Sequence, residues 1–289
     1  MKQKGCGVRI RLFKERFKRL QRGPFRWLVA IVGTIQQSIK FRAPILIYVD
    51  KEGDWHNCRR EIVLVSPELS VASWSEVQSA VIDYWCHSYK LQLGDTVVDI
   101  GAGIGDDAVA FSRLVGKNGR VIAIEAHPHT YRCLLKTIQA NRLDNVIAVN
   151  AAVSDSEGHI AISDGDNYLS NSIHAGMGAV RVRARTLENI LKQTGSLKAD
   201  LIKMNIEGAE TTALLGMVGI LNVTPHVVVS CHDFKADRGE SSEFRTYESV
   251  YQLLINSGFQ LRGRKEDPRP EVRYYLYGTK VIEPNIVDQ

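Results

Sequence analysis

Val97–Phe111 reads VVDIGAGIGDDAVAF: an apolar run, a glycine-rich turn, then a segment with helical spacing. An apolar strand that opens through glycines into a helix is the first turn of a βαβ unit, where ligands bind beyond the carboxyl ends of the strands. Gly101, Gly103 and Gly105 let a ligand approach the backbone with no Cβ in the way. The dinucleotide fingerprint G-x-G-x-x-G would need glycine at 106, but this chain has Asp106, followed by Asp107. Two carboxylates at the mouth of a helix repel a pyrophosphate and suit a ligand with a positive centre. Asp99, at the end of the strand, is placed to reach a cationic or amino group. Glu125 follows Gly105 by twenty residues, the position of an acid that binds ribose hydroxyls. A nucleoside with a cationic, phosphate-free tail meets these requirements, and S-adenosylmethionine is such a ligand.

Outward from this turn the pattern repeats. RVIAIE, NVIAVNAAV, ADLIKMNI and HVVVSC are apolar strands, and DAVAFSRLVG, HTYRCLLKTIQAN and GAETTALLGM are helical. Apolar strands alternating with amphipathic helices predict a parallel sheet covered on both faces. FQLRGR and VRYYLYGTK, with a turn around Pro268 and Pro270, predict an antiparallel finish. Before the glycine turn, ILIYVD and EIVLVS flank the polar KEGDWHNCRR and suit a small hairpin. A helix is expected over Trp74–His87, capped by Ser73 or Ser75. The chain thus divides into a basic segment (1–42), an N-terminal cap (43–90) and a ligand-binding domain (91–289).

With 44% apolar and 24% charged residues, the 289-residue chain has an ordinary globular composition. Its charge is uneven. Residues 1–42 hold twelve Lys or Arg and one acid, Glu15, so of the chain's +5 the remainder sums to about −6. An acidic main domain without an N-P-P-Y-like run argues against a nucleic-acid partner. Five scattered cysteines with no C-x-x-C pair predict a reducing, cytoplasmic compartment and no structural zinc. Ile10, Phe13, Phe17 and Leu20 have helical spacing, and the apolar run Trp27–Ile35 is far shorter than the ~20 residues of a spanning helix. Residues 8–35 therefore read as a basic amphipathic segment. It lies either on an anionic membrane surface, at its inner face, or on the protein itself or a second subunit.

GDTVVDIGAGIGDDAVAFSRLVGKNGRVIAIEAHP, then NAAVSD, RARTLENIL and ADLIKMNIEGAE, resemble the FkbM-type S-adenosylmethionine-dependent methyltransferases in order and spacing, roughly from Leu93 to Phe234. The resemblance implies a class I, Rossmann-like α/β fold with a mostly parallel seven-stranded sheet, an antiparallel C-terminal strand and helices on both faces. It implies that Asp99, Gly101, Ala102, Gly103 and Gly105 line the methionine end, that Glu125 and Ala126 hold the ribose, and that Ala152 and Asp155 border the adenine. It further implies O-methylation of hydroxyls on sugars, polyketides and other secondary metabolites; the basic amphipathic segment adds a glycolipid or lipid-linked saccharide as acceptor. This sequence departs from the family pattern at Asn205, where Asp is usual, and at Gly103, where Asn is frequent.

At the carboxyl ends of the later strands the candidates for chemistry are His232, as base or substrate orienter, Asn205 as hydrogen-bonding group, and Glu207. Glu210 reads equally as a helix N-terminal charge, and Lys203 as lining the cleft or covering a helix with its stem. With Asn205 in place of an acid, too few carboxylates converge for a metal site, and none is expected. His127 and His129 read as surface residues. Tyr168, Asn171, Ser172 and His174 lie in a Gly-, Ser- and Asn-rich loop suited to contact a polyhydroxylated acceptor. Two other functions fit less well: a nicotinamide-dependent oxidoreductase, disfavoured by Asp106, and a catalytically silent S-adenosylmethionine-binding, membrane-docked protein, which Asn205 allows.

Overall fold

The structure, a computed structural model, describes residues 20–163, 180–196 and 198–281. Helix α1 (Arg26–Phe41) leads into an antiparallel sheet of β1 (Leu46–Val49), β2 (Trp55–Cys58) and β3 (Val63–Ser66). The expected hairpin is thus three-stranded. β2 forms inside its polar connection because Trp55 and Asn57 turn inward, a period of two that the polar residue types disguise. α1 closes the free edge of β1. Thr34 Oγ1 accepts from the Ile47 N–H at 2.8 Å and donates to the Ile47 carbonyl at 3.1 Å; Ser38 does the same with Ile45 at 3.1 and 3.2 Å. The register works because four helical residues rise about 6 Å, close to two strand residues. An edge that could recruit another strand is satisfied by two hydroxyls.

Helix α2 (Trp74–Ala80) starts at a capping box: Ser73 Oγ accepts from the Glu76 N–H, and the Glu76 carboxylate accepts from the Ser73 N–H. Ser73, not Ser75, is the cap. The helix passes into a π-helical turn over Val81–Trp85 and stops short of the expected His87.

The main sheet begins with β4 (Thr96–Ile100), followed by α3 (Asp106–Val115), β5 (Arg120–Glu125), α4 (Pro128–Asn141) and β6 (Val146–Asn150). β7 (Ala152–Val153), β8 (Gly158–Ile162) and β9 (Val180–Arg185) form a separate three-stranded sheet in the order β7-β9-β8. After α5 (Leu187–Thr194) come β10 (Leu201–Met204), α6 (Glu210–Leu215), α7 (Val218–Asn222), β11 (His226–Ser230), α8 (Asp233–Asp237), α9 (Tyr247–Asn256), β12 (Gln260–Gly263) and β13 (Tyr275–Thr279). The seven-stranded order is β12-β13-β11-β10-β4-β5-β6, and β13 runs antiparallel to both its neighbours. This is the mostly parallel sheet with an antiparallel C-terminal strand expected of a class I methyltransferase fold.

Alternate residues of each strand feed two cores. Val98, Ile100, Ile122, Ile202 and Val229 pack against α5, α6, α7 and α9. Val97, Val121, Ala123, Leu201 and Val228 pack on the other face with Phe111 of α3. Leu64, Val77, Val81 and Trp85 join this second core, so residues of the 43–90 segment pack directly onto the sheet. Salt bridges add a second attachment. Asp54, fully buried, receives His129 at 2.7 Å, Arg132 at 3.0 Å and Lys136 at 2.6 Å. Burial alone would raise its pKa, but hydrogen bonds from His129, Arg132 and Lys136 hold it far below the carboxylate range. His129 is therefore a fastening residue, not the bare surface group its sequence context suggests. Lys136 also lies 2.6 Å from Asp50 and 2.5 Å from Glu52, so its ammonium already fills this acidic cluster. Among the described residues no helix is long and apolar enough to cross a membrane.

Candidate active site

The cleft opens where β4, β5 and β10 end and is lined by Gly101, Gly103, Glu125, Ala126, Ala152, Asn205 and Glu207, all drawn from the sequence candidates. Its construction starts at Gly101. A Cβ there would lie 2.0 Å from the Asn205 carbonyl oxygen, and φ is +78°, so only glycine lets the turn after β4 press against the end of β10. Gly103, at φ +57°, has nothing within 4 Å of a Cβ position, leaving its backbone open to the cleft. Its N–H donates to Glu125 Oε2 at 3.0 Å, while the His127 N–H donates to Oε1 at 2.8 Å. Asn150 holds the chain beyond Glu125 by donating to the carbonyls of Glu125 and Ala126. Glu125 is thereby fixed with a lone pair on each oxygen to spare for a diol. Burial pushes its carboxyl up to about 7, against the pull of those two N–H groups.

Beside Glu125 the wall is apolar. Val153, Ile160 and Ile162 complete it together with His127. Val153 lies within the NAAVSD run, whereas Ile160 and Ile162 escape a reading by motif because β8 approaches the cleft only through tertiary packing. His127 is itself buried, contrary to the expected surface position.

Several sequence candidates stand elsewhere. Asp99 is fully buried on the face of β4 opposite the cleft's apolar core, with Lys203 Nζ 2.7 Å away; it does not reach the cleft. The reason is strand alternation: Asp99 and Lys203 are register partners on one face of the sheet. Lys203 neither lines the cleft nor covers a helix. It also donates to the Gly101 carbonyl at 2.9 Å and lies 4.8 Å from the Trp85 ring centre, bracing the glycine turn from behind. Burial alone would lower its pKa, but Asp99 and Asp107 raise it. Burial pushes Asp99 up to about 6, opposed by Lys203, so the pair is charged at neutral pH. Burial and the adjacent Asp107 push Asp106 to about 7. Ala102 is buried with its N–H on the Ile124 carbonyl, and Gly105 backs onto Leu134. Asp155 is exposed and accepts from Ser156 instead of bordering the cleft. Tyr168, Asn171, Ser172 and His174 lie outside the described residues.

His232 corrects the expected base. Its Nδ1 lies 2.7 Å from Glu210 Oε1 and its Nε2 3.3 Å from Glu207 Oε1. Burial would pull the imidazole down, yet the two carboxylates raise it to about 9. It is an imidazolium at neutral pH, with both nitrogens committed. Glu210 does open helix α6, as its helix N-terminal reading has it, but it is buried and also accepts from Thr246 Oγ1 at 2.9 Å and the Gly208 N–H at 3.0 Å. Glu207 lines the cleft at φ +55°, a left-handed conformation that costs a non-glycine residue roughly 1–2 kcal/mol. Burial would raise its carboxyl, but His232 and Lys235 hold it low.

The Methyltransferase FkbM domain matches residues 99–261, more than half of the chain. The chain belongs to the FkbM methyltransferase domain family. A protein-L-isoaspartate O-methyltransferase of Methanococcus aeolicus is 36% identical over 74 residues, 25% of this chain and 34% of that protein. The chain thus matches about a third of the length of this curated relative. The methyltransferase FkbM structure from Methylobacillus flagellatus KT superposes with a TM-score of 0.49 at 17% identity, covering 72% of this chain and 51% of that one. Aeropyrum pernix fibrillarin, solved with natively bound S-adenosyl-L-methionine, gives 0.44 at 11% identity over 82% and 100%. The family carries the expected cofactor with it, and the cleft's lining suits that cofactor: an anchored carboxylate, an apolar wall and an open glycine backbone.

Proposed function

We propose that the chain methylates a hydroxyl of a sugar, glycolipid or secondary metabolite. The observation that carries this reading is Glu125, locked by two backbone N–H groups at the lip of a cleft whose neighbouring wall is apolar. Such a pairing is a nucleoside site: the carboxylate accepts from a ribose diol, and Val153, Ile160 and Ile162 cover a flat base. Gly101, Gly103 and Asn205 stand where the remainder of the cofactor would lie. When bound, S-adenosylmethionine supplies an electrophilic methyl group on a sulfonium. Asn205 offers both a donor and an acceptor to orient an acceptor hydroxyl or an amino group. Glu207 contributes a carboxylate whose orientation Lys235 and His232 fix. Placement of the acceptor is the main device, since alignment of two reactants can contribute roughly 7–11 kcal/mol.

The test is calorimetric titration of the full chain with S-adenosylmethionine and with NADH, then release of S-adenosylhomocysteine over a panel of sugars, glycolipids and polyols. Micromolar S-adenosylmethionine binding with turnover on a hydroxylated acceptor supports the reading. Binding of NADH instead, or methylation confined to carboxyl or amino acceptors, overturns it.

A further inference from the structure

The two faces of α1 are reversed for a helix whose task is to pack on its own protein. The inward face is mostly small or polar: Ala30 and Gln37 are buried, Gly33 meets Ile47, Thr34 and Ser38 are engaged by the β1 edge, and only Val29 and Phe41 add larger apolar groups to the packing. Six other large apolar side chains point outward. Trp27, Leu28, Ile31, Val32, Ile35 and Ile39 are 44–73% exposed. On a helical projection these six fall within an arc of about 140° that continues over three turns. A contiguous exposed apolar stripe of this kind marks an interaction surface.

Its charge says which surface it meets. Arg26 stands at the start of α1, and Lys40 and Arg42 at its end. Residues 1–19, which run into it, carry eight Lys or Arg and one acid, Glu15. The rest of the molecule is net acidic, so a negatively charged partner draws in this end alone. Apolar side chains framed by dense cationic charge match an anionic bilayer, where the stripe enters the acyl boundary and the cations remain at the headgroups.

We propose that α1 is an interfacial anchor that docks the chain on an anionic lipid bilayer. A chain of contacts links the anchor to the cleft. Arg26 approaches Gly53 in the β1–β2 turn, Asp54 of that turn is fastened to His129 and Arg132 of α4, and His127, just before α4, lines the cleft. The docking surface stands on α1 and does not depend on what the cleft binds.

The experiment is sedimentation of the full chain with vesicles of phosphatidylcholine alone and of phosphatidylcholine mixed with phosphatidylserine. The expected result is strong binding to the anionic vesicles and weak binding to the neutral ones. Ile31→Ser/Ile35→Ser should lower binding about tenfold or more, and Lys40→Gln about fivefold. Both variants should keep the wild-type melting temperature and cofactor affinity, because these side chains are exposed. Equal binding to both vesicles, or none to either, overturns the proposal. So does a dimer that Ile31→Ser/Ile35→Ser dissociates, which would assign the stripe to a second copy. Failure here leaves S-adenosylmethionine binding, read separately by calorimetry, untouched.

Discussion

Lys203→Met tests the buried brace beneath the glycine turn. The ammonium is 1% exposed and lies 2.7 Å from Asp99 Oδ1 and 3.4 Å from Asp107 Oδ2. Among the described residues Asp99 Oδ2 has no hydrogen-bond partner, so Lys203 is the main compensation for a fully buried carboxylate. Removing one partner of such a pair costs about 3–5 kcal/mol, because the remaining charge is left uncompensated. For a domain of this size that corresponds to a fall in melting temperature on the order of 10 °C. The companion Asp99→Val removes the other charge. Together, Lys203→Met/Asp99→Val leaves apolar groups facing each other and forfeits mainly the hydrogen bond to the Gly101 carbonyl, about 1 kcal/mol. Denaturant unfolding of wild type, both single variants and the double variant gives the coupling energy. A double variant as unstable as the sum of the singles, or a Lys203→Met change below about 1 kcal/mol, would refute the brace.

Three further outcomes follow from the site. Gly101→Ala should unfold the chain or cost several times more than Gly103→Ala, since its Cβ meets a carbonyl at 2.0 Å while Gly103 faces open space; thermal melts of the two variants decide it. Glu125→Gln should weaken S-adenosylmethionine about 10- to 100-fold at pH 8, the worth of charged hydrogen bonds to a diol. In the wild type the carboxyl takes up a proton below about 7, so affinity should fall with pH there and stay flat in the variant, read by titration calorimetry. His232 has a folded pKa of about 9 against an ordinary 6.5, so its contribution is complete below pH 6.5 and lost as pH rises through 9. Unfolding midpoints at pH 6.5 and 9.5 should differ by up to about 3 kcal/mol of stability, and Glu210→Gln should shrink that difference.

The glycine turn, the strand sequence and Glu125 were legible because each depends on local pattern: apolar runs, φ-permissive residues and fixed spacing within one βαβ unit. Asp99 was misplaced by one consideration, the alternation of a strand. Its position two residues before Gly101 suggests the cleft, but its face is set by its β10 neighbour Lys203, which only the sheet register reveals. The state of His232 was hidden in the same way. HVVVSCHD places an imidazole at a strand end, whereas Glu207 and Glu210, more than twenty residues earlier, decide its proton. The sequence left residues 8–35 as lipid-facing or protein-packed; in the structure α1 packs mostly through small and polar residues with Val29 and Phe41, and six large apolar side chains stay outside.

The protonated His232 changes what this cleft can ask of an acceptor. A general base for an alcohol needs a pKa near the working pH and a free lone pair. His232 has neither, and Glu207, paired with Lys235 and His232, is held below the usual carboxylate range. Of the cleft's two carboxylates, Glu125 is the one pushed up, to about 7, and it is the group proposed to hold the cofactor. Under cofactor saturation, kcat on a hydroxyl acceptor should therefore stay nearly flat from pH 6.5 to 8.5, with rate set by alignment. Glu207→Gln should lower kcat by loosening that alignment without introducing a pH-dependent limb. The result that would sink this argument is a kcat rising through an apparent pKa of 6 to 7 that disappears in His232→Gln, since that limb would mean an imidazole able to release its proton despite both carboxylates.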